Sequence, residues 1–222
     1  MRESPRLTSQ PFYKRLARSL YWRALALVFR WWKIPISKIF AYFQPRAPWP
    51  GHETGWTNLE EYGRWLPSHV RWRSDPLGGV FDIFPTRETI AAQYVRHGVF
   101  EEDCDGLAYF SAQNLDSLAD DPAKILIITV ILDPFSFKER ALFFAAHVFL
   151  IFPYQGQWRV ISNETLYEEH YPTIAEAIQR NPYCASHPIL WIEARNRHLR
   201  HLASAANVHQ LERKLLRQWS HR

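Results

Sequence analysis

The chain holds 222 residues, room for one core with appendages and too few for two full-sized domains. With 47% hydrophobic and 22% charged residues and only 8 Gly it is no disordered or collagen-like polymer, and its 2 cysteines exclude a disulfide-dense scaffold or an all-cysteine zinc site. The net charge of +5 is uneven: residues 1–48 carry ten Lys/Arg against one acid, residues 194–222 seven against one, and residues 49–193 ten against twenty. Three regions follow: a basic aromatic arm with a Pro-rich linker over 1–48, an acidic domain over 49–193, and a basic C-terminal helix over 194–222. Each arm can bind a polyanion that the middle would repel.

In chain order, Leu16, Leu20, Ala24, Leu27, Val28 and Trp31 recur at helical spacing, with Arg15, Arg18, Arg23, Arg30 and Lys33 mostly on the other side. The pattern predicts an amphipathic helix over Leu16–Ile34, ended by Pro35 and followed by a linker at Pro45–Pro50. Its longest uncharged run, Ala24–Phe29, falls far short of the roughly 20 apolar residues a spanning helix needs. Trp22, Trp31, Trp32 and the basic ring suit a protein partner, the acidic middle of the same chain, or an anionic membrane surface. Nucleic acid is not the expected partner. Arg breaks the apolar stretch and no small-residue cleavage site follows, so no signal peptide is recognised and the expected location is the cytoplasm or a virion.

Trp56–Val70 reads as a helix capped by Thr57 or Asn58, and Pro85–Gln93 as another capped by Thr86. In EEDCDGLAYFSAQNL, Asp103 stands at an N-cap position, which makes Cys104 the start of a helix. The period then changes. Ile125–Leu132, Leu142–Phe152 and Trp158–Ser162 read as strands, the last two joined by a loop over Pro153–Gln157 that contains Gly156. Helices followed by antiparallel strands give an α+β class. At the C-terminus, Val208, Leu211, Leu215 and Trp219 form the apolar stripe of a basic amphipathic helix. His198 and His201 make at most half a metal site, so no metal ligand is assigned.

If the hairpin closes with Phe152 opposite Trp158, His147 lies opposite Asn163; a slip by one residue brings Ser162 instead. Cross-strand partners sit about 5 Å apart at Cβ, so either residue can orient the imidazole. A helix bearing Cys104 at its N-terminus and packed on that sheet completes a nucleophile, a general base and an orienting group. The helix dipole and a nearby imidazolium favour the thiolate, whereas Glu101, Glu102, Asp103 and Asp105 oppose it. Taken alone, Cys104 reads as a small buried hydrophobe and His147 as a core histidine. Cys184, between Pro182 and Pro188, lies outside the constellation and receives no role.

Asp103-Cys104-Asp105-Gly106 at a helix start, His147-Val148-Phe149-Leu150 on a strand, Gly156-x-Trp158-Arg159-Val160 on the next and the helix start Thr173–Ile178 together resemble the transglutaminase-like cysteine proteinase superfamily. The likeness is closest to its bacterial and phage branch, whose D-C-[DE]-[DG] box carries the nucleophile, and it spans roughly Trp56–Ile178. It implies a papain-like core, the Cys helix packed on an antiparallel sheet, with basic helical arms on either side. It also implies a Cys104, His147, Asn163 triad acting through an acyl-thioester on a protein or peptide. The family places an Asp four residues after the strand Trp; here that position is Ser162, with Asn163 beside it. No cofactor is expected: some relatives bind calcium through acids flanking the Cys, but Asp103 and Asp105 are few against the about six to eight oxygens calcium takes. Gln93 or Tyr94 is a candidate oxyanion donor beside the Cys104 backbone N–H. The rival reading is an inactive module of the same shape with a structural role in a phage particle or a membrane-associated assembly.

Overall fold

Among the described residues, six antiparallel strands form a central sheet in the order β6-β5-β4-β3-β7-β8: β3 is Leu126–Leu132, β4 Ala146–Tyr154, β5 Gln157–Ser162, β6 Thr165–Leu166, β7 Ile189–Asn196 and β8 His201–Ala205. The computed structural model describes residues 12–28, 31, 36, 39, 42–43, 45–48, 56–73, 87–137 and 145–220. The expected cap Thr86, the expected helix end at Ile34 and Pro35, and the start of the second expected strand at 142–144 lie outside these residues.

The central β3 is buried at every position, which accounts for the run ILIITVIL, apolar but for Thr129. Alternate residues feed two cores. Leu126, Ile128 and Val130 join Phe149, Ile151 and Val160 on one face, beneath helices α5 (Ile174–Gln179), α6 (Pro182–Ala185) and α7 (Val208–Ser220). Ile127 joins Val148, Leu150, Phe152 and Ile161 on the other, beneath α2 (Leu59–His69) and α4 (Cys104–Asn114). Between those two helices run a short parallel pair, β1 (Val70–Trp72) and β2 (Phe100–Glu102), and helix α3 (Arg87–His97). The class is therefore α+β with an antiparallel sheet.

Caps place the helices where short polar residues precede them. Asn58 accepts from the Glu61 N–H, Asp103 from Asp105 and Gly106, and Thr173 from Glu176. Of the two cap candidates for α2, Asn58 is the one used. Tyr62, fully buried, donates to Ser111 Oγ at 2.9 Å and ties α2 to α4.

Two expectations need correction. The β4–β5 hairpin pairs Phe152 with Arg159, not Trp158, because both strands run on to Tyr154 and Gln157 and close through the two-residue turn Gln155-Gly156, with φ of 53° and 74°. Asp120 accepts both turn N–H groups, at 3.0 and 2.8 Å. Pro153 fits in the strand because its partner Trp158 sends its own backbone N–H and C=O the other way, to Tyr171, so the ladder asks for no N–H at position 153.

Second, residues 194–222 are not a helix alone. β7 crosses position 193/194 and pairs with β8 before α7 begins, and Val208, Leu211 and Leu215 bury against the sheet as the stripe predicts. The first helix, α1 (Phe12–Val28), docks on the acidic middle of the same chain, one of the surfaces expected for it, while Arg15 and Arg23 stay exposed. Arg18 is its buried residue and pairs with Asp133, just past β3, with Nε and Nη2 donating to Oδ2 at 2.8 and 2.7 Å. Trp22 stacks on Trp191 at 6.3 Å, and the Tyr21 hydroxyl is hydrogen-bonded to the backbone of Ala145, just before β4. Thus α1 closes the end of the sheet at which β3 ends and β4 begins.

Candidate functional site

Cys104 opens α4, half-buried, one residue after the cap Asp103, whose Oδ1 accepts from the Asp105 and Gly106 N–H groups at 3.2 Å each. A thiol there sits against the positive end of the helix, where backbone N–H groups favour an anion. Both cysteines are thiols rather than a disulfide. The second, Cys184, belongs to the core beneath α6, and burial pushes its thiol up to about 12.

His147, the second residue of β4, is 5% exposed. Its Nε2 lies 2.7 Å from Ser162 Oγ. Continued past its last pair, Leu150 with Ile161, the β4–β5 register sets Glu164 rather than Asn163 across from His147. Ser162 is a diagonal neighbour on the same face, and its hydroxyl reaches the ring. Asn163 has a φ of 52° and stands in the turn between β5 and β6, where its Oδ1 is buried with no hydrogen-bond partner. Of the two candidates for orienting the imidazole, Ser162 is the one that bonds it.

Burial pushes the imidazole down to about 4, with the charge of Asp103 working weakly the other way. At neutral pH the ring is therefore uncharged. Its face lies against Tyr183, with ring centroids 4.4 Å apart, and Phe149 stacks at 5.8 Å. Tyr183 had no role in the sequence pattern. It sits on α6, held by Asn181, whose Oδ1 accepts the Tyr183 N–H at 3.0 Å; the Asn-Pro start of that short helix is the one local signal for it. Burial raises the Tyr183 hydroxyl, and the charges of Cys104 and Cys184 add to that. Tyr183 thus packs on the imidazole from a helix that the Asn181 cap holds in place.

Cys104 and His147 share one end of the sheet, yet the sheet divides them by face. His147 alternates with Phe149 and Ile151, whereas α4 packs on the face of Val148 and Leu150. The β4–β5 ladder ends at Leu150 with Ile161, so His147 has no paired residue on β5. Among the described residues the His147 ring makes its hydrogen bond to Ser162 and none to Cys104.

Gln93, the first oxyanion candidate, donates from Nε2 to Glu102 at 3.0 Å and accepts from the Glu101 N–H, so its amide ties α3 to β2. Tyr94 packs on Trp65 and His69. Asp105 is buried at 2% exposure. His201 lies 3.9 Å from the buried Glu193, which also pairs with Arg195. Among the described residues no group of three or more His, Cys, Asp or Glu is arranged to hold a metal ion. No family model matches the chain, and neither a curated protein nor a solved structure does so.

Proposed function

We propose that the protein is a cysteine hydrolase, a peptidase or amidase with a papain-like, transglutaminase-like core, using Cys104 as nucleophile and His147 as base. Ser162 takes the orienting position in place of Asn163. The observation that carries the reading is a half-buried thiol at the capped start of α4 together with a buried imidazole whose Nε2 is engaged by Ser162 and whose face lies against Tyr183. In the reaction, Nδ1 of His147, the nitrogen opposite that bond, takes the proton from Sγ as sulfur attacks the amide carbonyl. The tetrahedral oxyanion forms beside the Cys104 backbone N–H, since Asp103 accepts those of Asp105 and Gly106. It collapses as the imidazolium gives its proton to the leaving amine, which leaves an acyl-thioester on Cys104. Water, losing a proton to His147, then releases the acid and restores the thiol; an amine acceptor gives a crosslink instead. No cofactor enters any step, and the substrate class is a protein or peptide.

One observation favours a second reading, the inactive module with a structural or assembly role: the imidazole emerges on the face of the sheet opposite α4. Intact-mass spectrometry with an activated ester such as p-nitrophenyl acetate separates the two. A hydrolase shows a transient acyl adduct on Cys104, absent in Cys104→Ala and formed about a hundredfold or more slowly in His147→Ala. A chain that forms no adduct on Cys104 is the inactive module.

A further inference from the structure

Helix α1 is mounted with its apolar side outward. Phe12, Leu16, Leu20 and Leu27 fall on one stripe of the helix, at 71%, 47%, 58% and 58% exposure, while the charged Arg18 faces inward at 7%. A helix free to turn about its axis would do the reverse. Three contacts fix the rotation: the Arg18 to Asp133 ion pair, the Tyr21 bond to the Ala145 backbone and the Trp22 stack on Trp191. The molecule therefore spends its specific interactions on holding an apolar stripe away from its own core. Trp31 and Phe43, further along, are also exposed, at 74% and 77%.

We infer that this face of α1 lies on an anionic lipid surface. The reason is the charge that surrounds the stripe. Residues 12–28 contain Lys14, Arg15, Arg18 and Arg23 and no acid, with Arg23 exposed within the stripe and Arg15 exposed at the flank of the helix. Basic residues beside an outward apolar stripe, with Tyr13 65% exposed near its start, suit the headgroup region of a negatively charged leaflet. A second copy of the chain is a poor occupant, because paired arms carrying ten Lys/Arg against one acid repel each other. Among the described residues no helix is long and apolar enough to cross a membrane, and α1, about 25 Å long, would lie in the plane of the surface. Because α1 is pinned beside Ala145, contact would set the end of the sheet that α1 closes, where His147 stands, toward the lipid. The inference does not depend on the chemistry of Cys104.

Flotation of the full chain tests it, with vesicles of phosphatidylcholine alone against vesicles holding equal phosphatidylcholine and phosphatidylglycerol. The expected result is capture by the anionic vesicles, roughly tenfold or more above the neutral ones and weakened by salt. Leu20→Glu with Leu27→Glu abolishes capture while the melting curve stays as in the unsubstituted chain, since both side chains point to solvent. Arg15→Gln with Arg23→Gln, which leaves the stripe intact, lowers capture by the anionic vesicles alone. Three results would overturn the inference: no capture by anionic vesicles, capture indifferent to both pairs of substitutions, or a dimer in solution that the Leu→Glu pair dissolves, which would give the stripe to a second copy.

Discussion

Arg18→Met lowers stability by about 3–5 kcal/mol. The expectation rests on what remains behind. Asp133 has a side chain 5% exposed, and its Oδ2 receives both Arg18 donors while Oδ1 accepts the Phe135 N–H at 3.0 Å. Removing the guanidinium leaves a buried carboxylate with one hydrogen bond where it had three, and the cost is mostly that of the orphaned charge. Arg18→Met with Asp133→Asn recovers most of the loss, because the amide oxygen still accepts from Phe135 and no charge is left buried. Urea unfolding measures the global effect, and hydrogen exchange over residues 12–28 shows whether α1 opens ahead of the rest. A single variant within about 0.5 kcal/mol of the unsubstituted chain, with α1 still protected, contradicts this account of the pair.

The second large effect is acid lability centred on His147. Its folded value is lowered from 6.5 to about 4, so between those values the unfolded chain binds a proton that the folded chain refuses. Stability from this group is complete above pH 6.5 and drains away as the pH falls toward 4, by roughly 3 kcal/mol in all. At 5% exposure the ring has little solvent to screen that cost. His147→Gln keeps a partner for the Ser162 hydroxyl and removes the titration, so its stability curve is flatter over the same interval. An equal slope in both proteins assigns the acid lability elsewhere. The same shift bears on catalysis: the imidazole starts neutral, as a base must, and the acid limb of any rate profile that depends on it lies near 4 rather than near 6.5.

Local signals were legible where one residue decides one event. Asp103 before Cys104 predicts a capped helix, and Asp103 does accept the first N–H groups of α4; Thr173 and Asn58 behave alike. The β-branched run ILIITVIL reads as a strand, and β3 occupies Leu126–Leu132 of it. What escaped the pattern depends on partners far along the chain. The acidic middle is legible as a surface for the first helix, but nothing in the spacing singles out Asp133, 115 residues on, as the counter-charge of Arg18. Glu193 and Arg195 look like the charged edge of an arm, yet they pair with each other within β7 and Glu193 is buried. Pro153 reads as a loop residue because a strand proline loses an N–H; only Tyr171, bonding Trp158 from the far side, makes that N–H unnecessary. This one-residue extension shifts the register and sends Asn163 into a turn, leaving Ser162 against His147. Tyr183 arrives from α6 on a different stretch of chain, and no spacing in the sequence relates it to Cys104.

The central claim is that His147 activates Cys104, and the most direct test is the rate of Cys104 alkylation by iodoacetamide, followed by peptide mass spectrometry from acid to mildly alkaline pH in the unsubstituted chain and in His147→Ala. The account predicts that Cys104 reacts faster than free cysteine at neutral pH, that His147→Ala slows it about tenfold or more, and that buried Cys184 stays unmodified until the chain unfolds. A Cys104 that reacts no faster than free cysteine, at a rate indifferent to the loss of His147, contradicts it.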